Sequence, residues 1–232
     1  MRILVTSVST PLCRALAESL AGEHQVRVTD FQEVDVPASL QFVRSDMGHD
    51  AGTDLLVEGM DVVVHYGGTD PSLDASTRLD RAMRCTYNLL WAASHGGVKR
   101  VVFVGSLSVM DRYDEAYAVT ERWRPVPSTD VGVLGYHLGE YVCREFAREG
   151  RLEVFCLRLG PLVEEGQPPP STSALYLSDA LQAVQRALTA PAPILWNDLP
   201  TRWVVLHVQS EVPGARYLTT RARQVLGYSP SR

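Results

Sequence analysis

The chain has 232 residues, 45% of them hydrophobic, enough for one full-sized core in a single domain. Its formal charge is −5 and no run of Lys or Arg occurs, which argues against nucleic acid and anionic membrane as partners. Its apolar runs are short, and the four cysteines (Cys13, Cys85, Cys143, Cys156) are widely spaced with no C-x-x-C pair. No membrane span, disulfide framework or metal site is therefore expected. Buried thiols fit a reducing compartment, and the N-terminus shows no signal-peptide pattern, so a cytoplasmic location is expected.

Taken in chain order, Arg2–Thr6 is a continuous apolar run that predicts a buried strand. A turn, Ser7 to Cys13, leads into a helix whose apolar face carries Leu12, Ala15, Leu16 and Leu20. Further strands are predicted at Gln25–Thr29, Gln41–Val43, Asp61–His65, Arg100–Val104 and Val154–Leu159. Between them, Leu79, Met83, Tyr87, Leu90, Trp91 and Ser94 recur at helical spacing, and another helix begins near Asp130 and carries Val142, Phe146 and Glu149. Strand–helix alternation of this kind predicts an α/β fold, a Rossmann-like doubly wound parallel sheet of at least six strands. Such sheets bind ligands at the carboxyl ends of their strands.

The texture changes after Pro161. The loop Gly166–Ser171 is proline-rich, and a helix is predicted at about Ser178–Thr189. An apolar run at Pro193–Trp196, a strand at Trp203–Val208 and a helix at about Thr219–Leu226 follow. Residues 1–161 read as the Rossmann-like core, and 162–232 as a small C-terminal cap packed on it rather than an independent domain.

Several motifs run nearly end to end. "ILVT" opens the chain, "VTD" ends the second strand, and "VRSDM" is similar to V-x-G-D-L. "DVVVHYGG" is similar to D-V-V-[IV]-H-L-A-A, "RCTYNLLWAA" to R-G-T-x-N-L-L-E-A-A, and "VKRVVFVGSLSV" to V-K-R-V-V-F-x-S-S-x-x-V. "GEYVCREFAREGRLEVFCLRLGP" and "ARQVLGYSP" complete the match. The chain thus resembles the extended short-chain dehydrogenase/reductases, the NAD-dependent epimerase/dehydratase group, most of all the uronate and related sugar dehydrogenases.

That resemblance implies a first turn of G-x-x-G-x-x-G, whose glycines allow unusual dihedrals and close approach to a pyrophosphate. Ser7, Thr10 and Cys13 stand at those positions, and Pro11 lacks an N–H in the first turn of the helix. The resemblance places Asp30 at the adenosine ribose, Asp46 near the adenine edge and Gly67 beside the cofactor. Asp30 favours NAD over NADP if either binds. His65 reads as a satisfied core histidine.

The implied catalytic set is Ser, Tyr and Lys, with the tyrosine as general acid/base. Ser106 matches the serine. Tyr136 can be read as the tyrosine, with Glu140 in place of lysine. Alternatively, the ungapped match from "GEYVCREFARE" puts Gly132 at the tyrosine position and Tyr136 at the lysine position, and this second register is preferred. The asparagine of N-x-x-G-T appears as Ala82.

These departures lead to the expectation of a protein that keeps the fold, carries no nicotinamide cofactor and acts as a ligand- or partner-binding pseudoenzyme. Its partner would be a sugar-like small molecule or a protein. The alternative is an active NAD-dependent oxidoreductase or epimerase on a sugar or sugar acid, or altered nicotinamide-independent chemistry in the same cleft. Asp111 and Asp114 are further candidates for polar groups there, and Glu164–Thr172 and Trp196–Trp203 for shaping it. The resemblance also implies a homodimer formed through the helices around Leu79–Ser94 and Tyr136–Arg148. Tyr136 is expected to fill the lysine's space, with its hydroxyl on Ser106 or a backbone group.

Overall fold

The structure, a computed structural model, describes residues 1–164, 166–169, 171–191, 195–196, 199–200 and 202–231. Strand β1 (Arg2–Thr6) is followed by α1 (Pro11–Leu20), β2 (Gln25–Asp30), β3 (Gln41–Arg44), α2 (Ala51–Val57) and β4 (Val62–Tyr66). Next come α3 (Ala75–Asp80), a π-helical turn (Arg81–Cys85), α4 (Thr86–His95) and β5 (Arg100–Ser106). A 3₁₀ turn (Leu107–Met110), α5 (Val131–Arg148) and β6 (Glu153–Leu159) follow. The C-terminal part holds two short strand pairs, β7 (Leu162–Val163) with β8 (Leu175–Tyr176) and β9 (Leu195–Trp196) with β10 (Leu199–Pro200). It also holds α6 (Leu177–Thr189), β11 (Trp203–Val208) and α7 (Thr220–Leu226).

Seven strands form one parallel sheet in the order β11-β6-β5-β4-β1-β2-β3. The order reverses at β1, between β2 and β4, and this is the switch point where a doubly wound sheet opens a crevice. Alternate residues serve opposite faces. Ile3, Val5, Val26, Val28, Val102 and Val104 pack with α1 and α6. Leu4, Val63, Val101, Phe103, Val154 and Cys156 pack with α4 and α5. Both faces are covered, which is why the strands read as continuous apolar runs. Residues 162–232 continue this core: β11 pairs with β6, and α6 and α7 add Ala180, Val184, Ala222 and Leu226 to the α1 side.

All four cysteines are buried and unpaired. Among the described residues no helix is long and apolar enough to cross a membrane. Pro193 and Ile194 of the expected apolar run lie outside the described residues.

The helix expected across Leu79–Ser94 is instead two helices joined by the π turn. Thr86 accounts for the break. Its Oγ1 donates to the Ala82 carbonyl at 2.8 Å, a back-bond that competes with the α-helical ladder. The same hydroxyl meets His65 Nε2 at 2.8 Å, so the turn is pinned to β4.

Candidate functional site

The turn after β1 keeps a glycine-like backbone without a glycine. Ser7 sits at φ 57, in the left-handed region that glycine ordinarily supplies. Its carbonyl accepts Thr10 N at 3.0 Å and Thr10 Oγ1 at 2.8 Å. The Thr10 hydroxyl is thus turned onto the loop itself. Cys13 points into the core rather than at the turn's open side, and burial pushes its thiol up to about 12. Of the three side chains expected to exclude a pyrophosphate, Cys13 is taken wholly into the core and the Thr10 hydroxyl is tied to the loop, while Ser7 and Thr10 still line the cleft beside the turn. Pro11 begins α1, and Leu12 and Cys13, next in the first turn, have no helix carbonyl for their N–H groups.

Asp30 ends β2 and is only 6% exposed. Its Oδ2 accepts Ser9 N at 2.9 Å, and its Oδ1 accepts Phe31 N at 2.8 Å. It therefore ties the β1 turn to the β2 turn across the switch point. A cleft of about 290 Å³ opens above it, with Ser9, Thr10, Phe31, Tyr66, Gly68 and Arg81 in its walls.

The two other cofactor candidates lie off this cleft. Asp46 is exposed, and its Oδ1 accepts Gly48 N at 3.1 Å. Gly67 is a packing glycine: a Cβ there would come within 2.3 Å of Phe103 Cζ. Its neighbour Gly68 faces the cleft instead.

His65 is 2% exposed and satisfied on both nitrogens, as the sequence suggests for a core histidine. Because Thr86 gives its proton to Ala82, it must accept from His65 Nε2, which leaves Nδ1 to accept from Thr6 Oγ1 at 3.0 Å. Thr6 Oγ1 in turn accepts Tyr66 N at 3.0 Å. Burial lowers the imidazole to about 4, so it is neutral at physiological pH.

Tyr136 stands against Tyr66 and Gly68 of the cleft wall, and its hydroxyl donates to Tyr66 Oη at 3.1 Å. The expected partner was Ser106 or a backbone group, and the structure corrects this. Ser106 ends β5, where its Oγ accepts Ser108 N at 3.1 Å as the cap of the 3₁₀ turn. No hydrogen bond joins Ser106 to Tyr136. The Tyr136 ring packs against the buried cluster that holds Leu107, Met110 and Tyr217 and meets the Tyr66 ring edge-on at 89°. Gly68 permits this closeness, since a Cβ there would lie 2.5 Å from Tyr136 Oη. Burial above all raises the pKa of both phenols, that of Tyr136 well above its ordinary value.

Gly132 lies in the first turn of α5, where Asp130 caps the helix by accepting Val133 N at 3.1 Å. A Cβ on Gly132 would come within 3.0 Å of an Arg78 guanidinium nitrogen. Glu140 does not stand beside Tyr136. It is buried against Arg158 of β6, with one contact of 2.9 Å from Arg158 Nε and a second, shorter one from the same guanidinium.

Asp111 accepts the Tyr217 hydroxyl at 2.6 Å, and Asp114 Oδ1 accepts Ala116 N at 2.9 Å, so both carboxylates serve the scaffold. Of the two segments expected to shape the cleft, residues 165, 170, 197–198 and 201 lie outside the described set. Sequence reasoning missed Tyr66, Gly68, Arg78 and Arg81. The paired glycines after a buried strand were the one available signal, because they mark a close approach.

The family model for the NAD dependent epimerase/dehydratase family matches residues 3–224. The chain is 28% identical to an L-arabinose 1-dehydrogenase (NAD(P)(+)) of Haloferax volcanii over 260 residues, covering 99% of this chain and 96% of that protein. It is 26% identical to a uronate dehydrogenase of Pseudomonas syringae pv. tomato, covering 82% of this chain and 70% of that protein. The crystal structure of uronate dehydrogenase from Agrobacterium tumefaciens superposes with a TM-score of 0.84 at 22% identity, covering 100% of this chain and 84% of that one, a likeness of fold. With a family model spanning nearly its whole length and the switch-point cleft in place, the chain belongs to the NAD-dependent epimerase/dehydratase family.

Proposed function

We propose that the chain binds NAD in the switch-point cleft and acts as an oxidoreductase on a sugar or sugar acid. The observation that carries this reading is the buried Asp30 carboxylate at the foot of an open cleft beside the start of α1. The uronate and arabinose dehydrogenases among its relatives support the substrate class.

NAD, when bound, supplies the hydride acceptor. Asp30 would accept the hydroxyls of the adenosine ribose, and its charge disfavours a 2′-phosphate, so NAD is preferred to NADP. The N–H groups at the start of α1 and the helix dipole would face the diphosphate. Tyr136 donates to Tyr66, which leaves the Tyr66 proton free to be directed into the cleft, where it can donate to a substrate oxygen.

A second reading, a ligand-binding protein without hydride transfer, is favoured by the same phenol pair. Burial keeps both phenols protonated, so neither is suited to take a proton, and Gly132 brings no phenol to the start of α5. One experiment separates the readings: NAD⁺ binding by calorimetry beside NADH formation on a panel of uronic acids and aldoses. NADH formation supports the oxidoreductase. Saturable binding with no turnover on the panel supports the second reading. The absence of NAD⁺ binding contradicts the first.

The same proposal places the protein in the cytoplasm, consistent with its unpaired thiols. It also pairs two copies through α4 and α5. Tyr87, Trp91, Tyr141 and Phe146 line a groove of about 240 Å³ between these helices, and Tyr87 and Tyr141 are 43% and 51% exposed.

A further inference from the structure

The β1 turn has few hydrogen-bond donors left for an anion. Pro11 has no N–H, and the Ser9 N–H is already given to Asp30. Asp30 itself adds negative charge at the foot of the cleft. A diphosphate lying there needs positive charge from another element.

The π turn supplies it. Arg81, its first residue, is in the cleft wall, and its guanidinium carbon lies 3.8 Å above the centre of the Phe31 ring. The Phe31 backbone N–H is bonded to Asp30, and its side chain packs against the core on the α4 and α5 face. Stacking on a ring holds a guanidinium flat while leaving its edge N–H groups free to donate. Arg81 enters no ion pair among the described residues. The nearest carboxylate in sequence, Asp80, is taken by Arg84 through two contacts of 2.7 Å. One helical turn earlier, Arg78 bonds only Thr69 Oγ1, at 3.3 Å, and likewise enters no ion pair among the described residues. Thr69, the partner of Arg78, lies in the same cleft wall as Arg81, and so does Asp70, whose carboxyl is held below its ordinary value first by hydrogen bonds from Ser72 and then by the charges of Arg81 and Arg78.

The π geometry bears on this placement. An α-helix running unbroken from Ala75 would advance its face by about 100° per residue, as 3.6 residues per turn require. The wider π turn changes the direction in which residues after Asp80 project, and such turns recur at functional sites. Here the turn is pinned by the hydrogen-bonded series from Thr6 through His65 and Thr86 to the Ala82 carbonyl.

We infer that Arg81, with Arg78 behind it, holds the phosphate groups of the bound ligand in place of a glycine-rich turn. The inference rests on the NAD reading for the identity of that ligand, a nucleoside diphosphate linked to a sugar. The anion site itself stands on the two arginines.

The test is calorimetric titration of the wild type, Arg81→Gln, Arg81→Lys and Arg78→Gln with ADP-ribose and with inorganic pyrophosphate at low salt. Thermal melts of each variant check the fold. Arg81→Gln is expected to weaken ADP-ribose by about ten- to a hundredfold, the range for one charge-assisted hydrogen-bonding group. Arg78→Gln should weaken it several-fold, and Arg81→Lys should recover part of the loss through its retained charge. Folded Arg81→Gln and Arg81→Lys proteins that bind ADP-ribose as the wild type does would overturn the inference and leave the NAD reading standing. Arg81-dependent pyrophosphate binding without ADP-ribose binding would support the anion site and overturn the NAD reading. A wild type that binds neither would overturn both.

Discussion

The hydroxyl of Tyr136 donates to that of Tyr66 across 3.1 Å, joining α5 to the end of β4 at the cleft wall. Tyr136→Phe removes one hydrogen bond and keeps the ring, so the loss of stability should be about 0.5–1.5 kcal/mol. Tyr136→Ala also removes the packing on the cluster that holds Leu107, Met110 and Tyr217 and should cost about 3 kcal/mol, the low end for a buried aromatic because the ring is only partly covered. Urea denaturation of the two variants checks this; equal losses would mean that the ring does not pack as described.

Glu140 tests the packing of α5 on the sheet independently. Its carboxylate is paired inside the protein with Arg158, so Glu140→Gln leaves a buried guanidinium without its counter-charge. The expected loss is about 3–5 kcal/mol. A loss below about 1 kcal/mol, the range for an exposed pair, would contradict the burial of this pair.

His65 gives the protein a defined acid sensitivity. Its imidazole is neutral when folded because burial lowers it from 6.5 to about 4. Between those values the unfolded chain binds a proton that the folded protein does not. The stability is therefore fully present above about pH 6.5 and is lost as pH falls toward about 4. His207 is buried as well, and burial lowers it to about 3, so it adds a loss of the same sign that continues to about pH 3. Each histidine should cost about 2 kcal/mol at about pH 5. Denaturation series over this range should show a slope reduced by about one proton in His65→Gln; an unchanged slope would mean that His65 is not the titrating group.

The proposed pairing through α4 and α5 predicts a specific surface effect. Tyr141 is 51% exposed on α5, so Tyr141→Glu should leave the monomer fold intact. Light scattering should show a dimer for the wild type and a monomer for Tyr141→Glu. A wild type that stays monomeric at high concentration contradicts the pairing.

The sheet was legible because its strands are buried on both faces and its helices carry apolar stripes, two periods that local sequence displays directly. The start of α5 near Asp130 and Trp203–Val208 as a strand were visible for the same reason. The site was less legible because its contacts are long-range. Tyr66 and Tyr136 lie 70 residues apart, and nothing local to either names the other. Glu140 was legible as a carboxylate, but its true partner, Arg158, lies in the next strand. Arg81 fell within a regular helical pattern, and only the Thr86 back-bond that opens the π turn changes its setting. Ser7 shows the opposite case: a missing glycine suggests a lost backbone shape, yet the serine adopts the left-handed conformation itself.

The most direct test of the account is calorimetric titration of NAD⁺ into the wild type and Asp30→Ala. Asp30 reaches the ligand as a charged acceptor, so its loss should weaken binding by about tenfold or more. The account predicts saturable one-site binding by the wild type, weakened to that extent in Asp30→Ala, with NADP⁺ weaker than NAD⁺. A wild type that gives no binding heat at millimolar NAD⁺, or an Asp30→Ala protein that binds as tightly as the wild type, would contradict it.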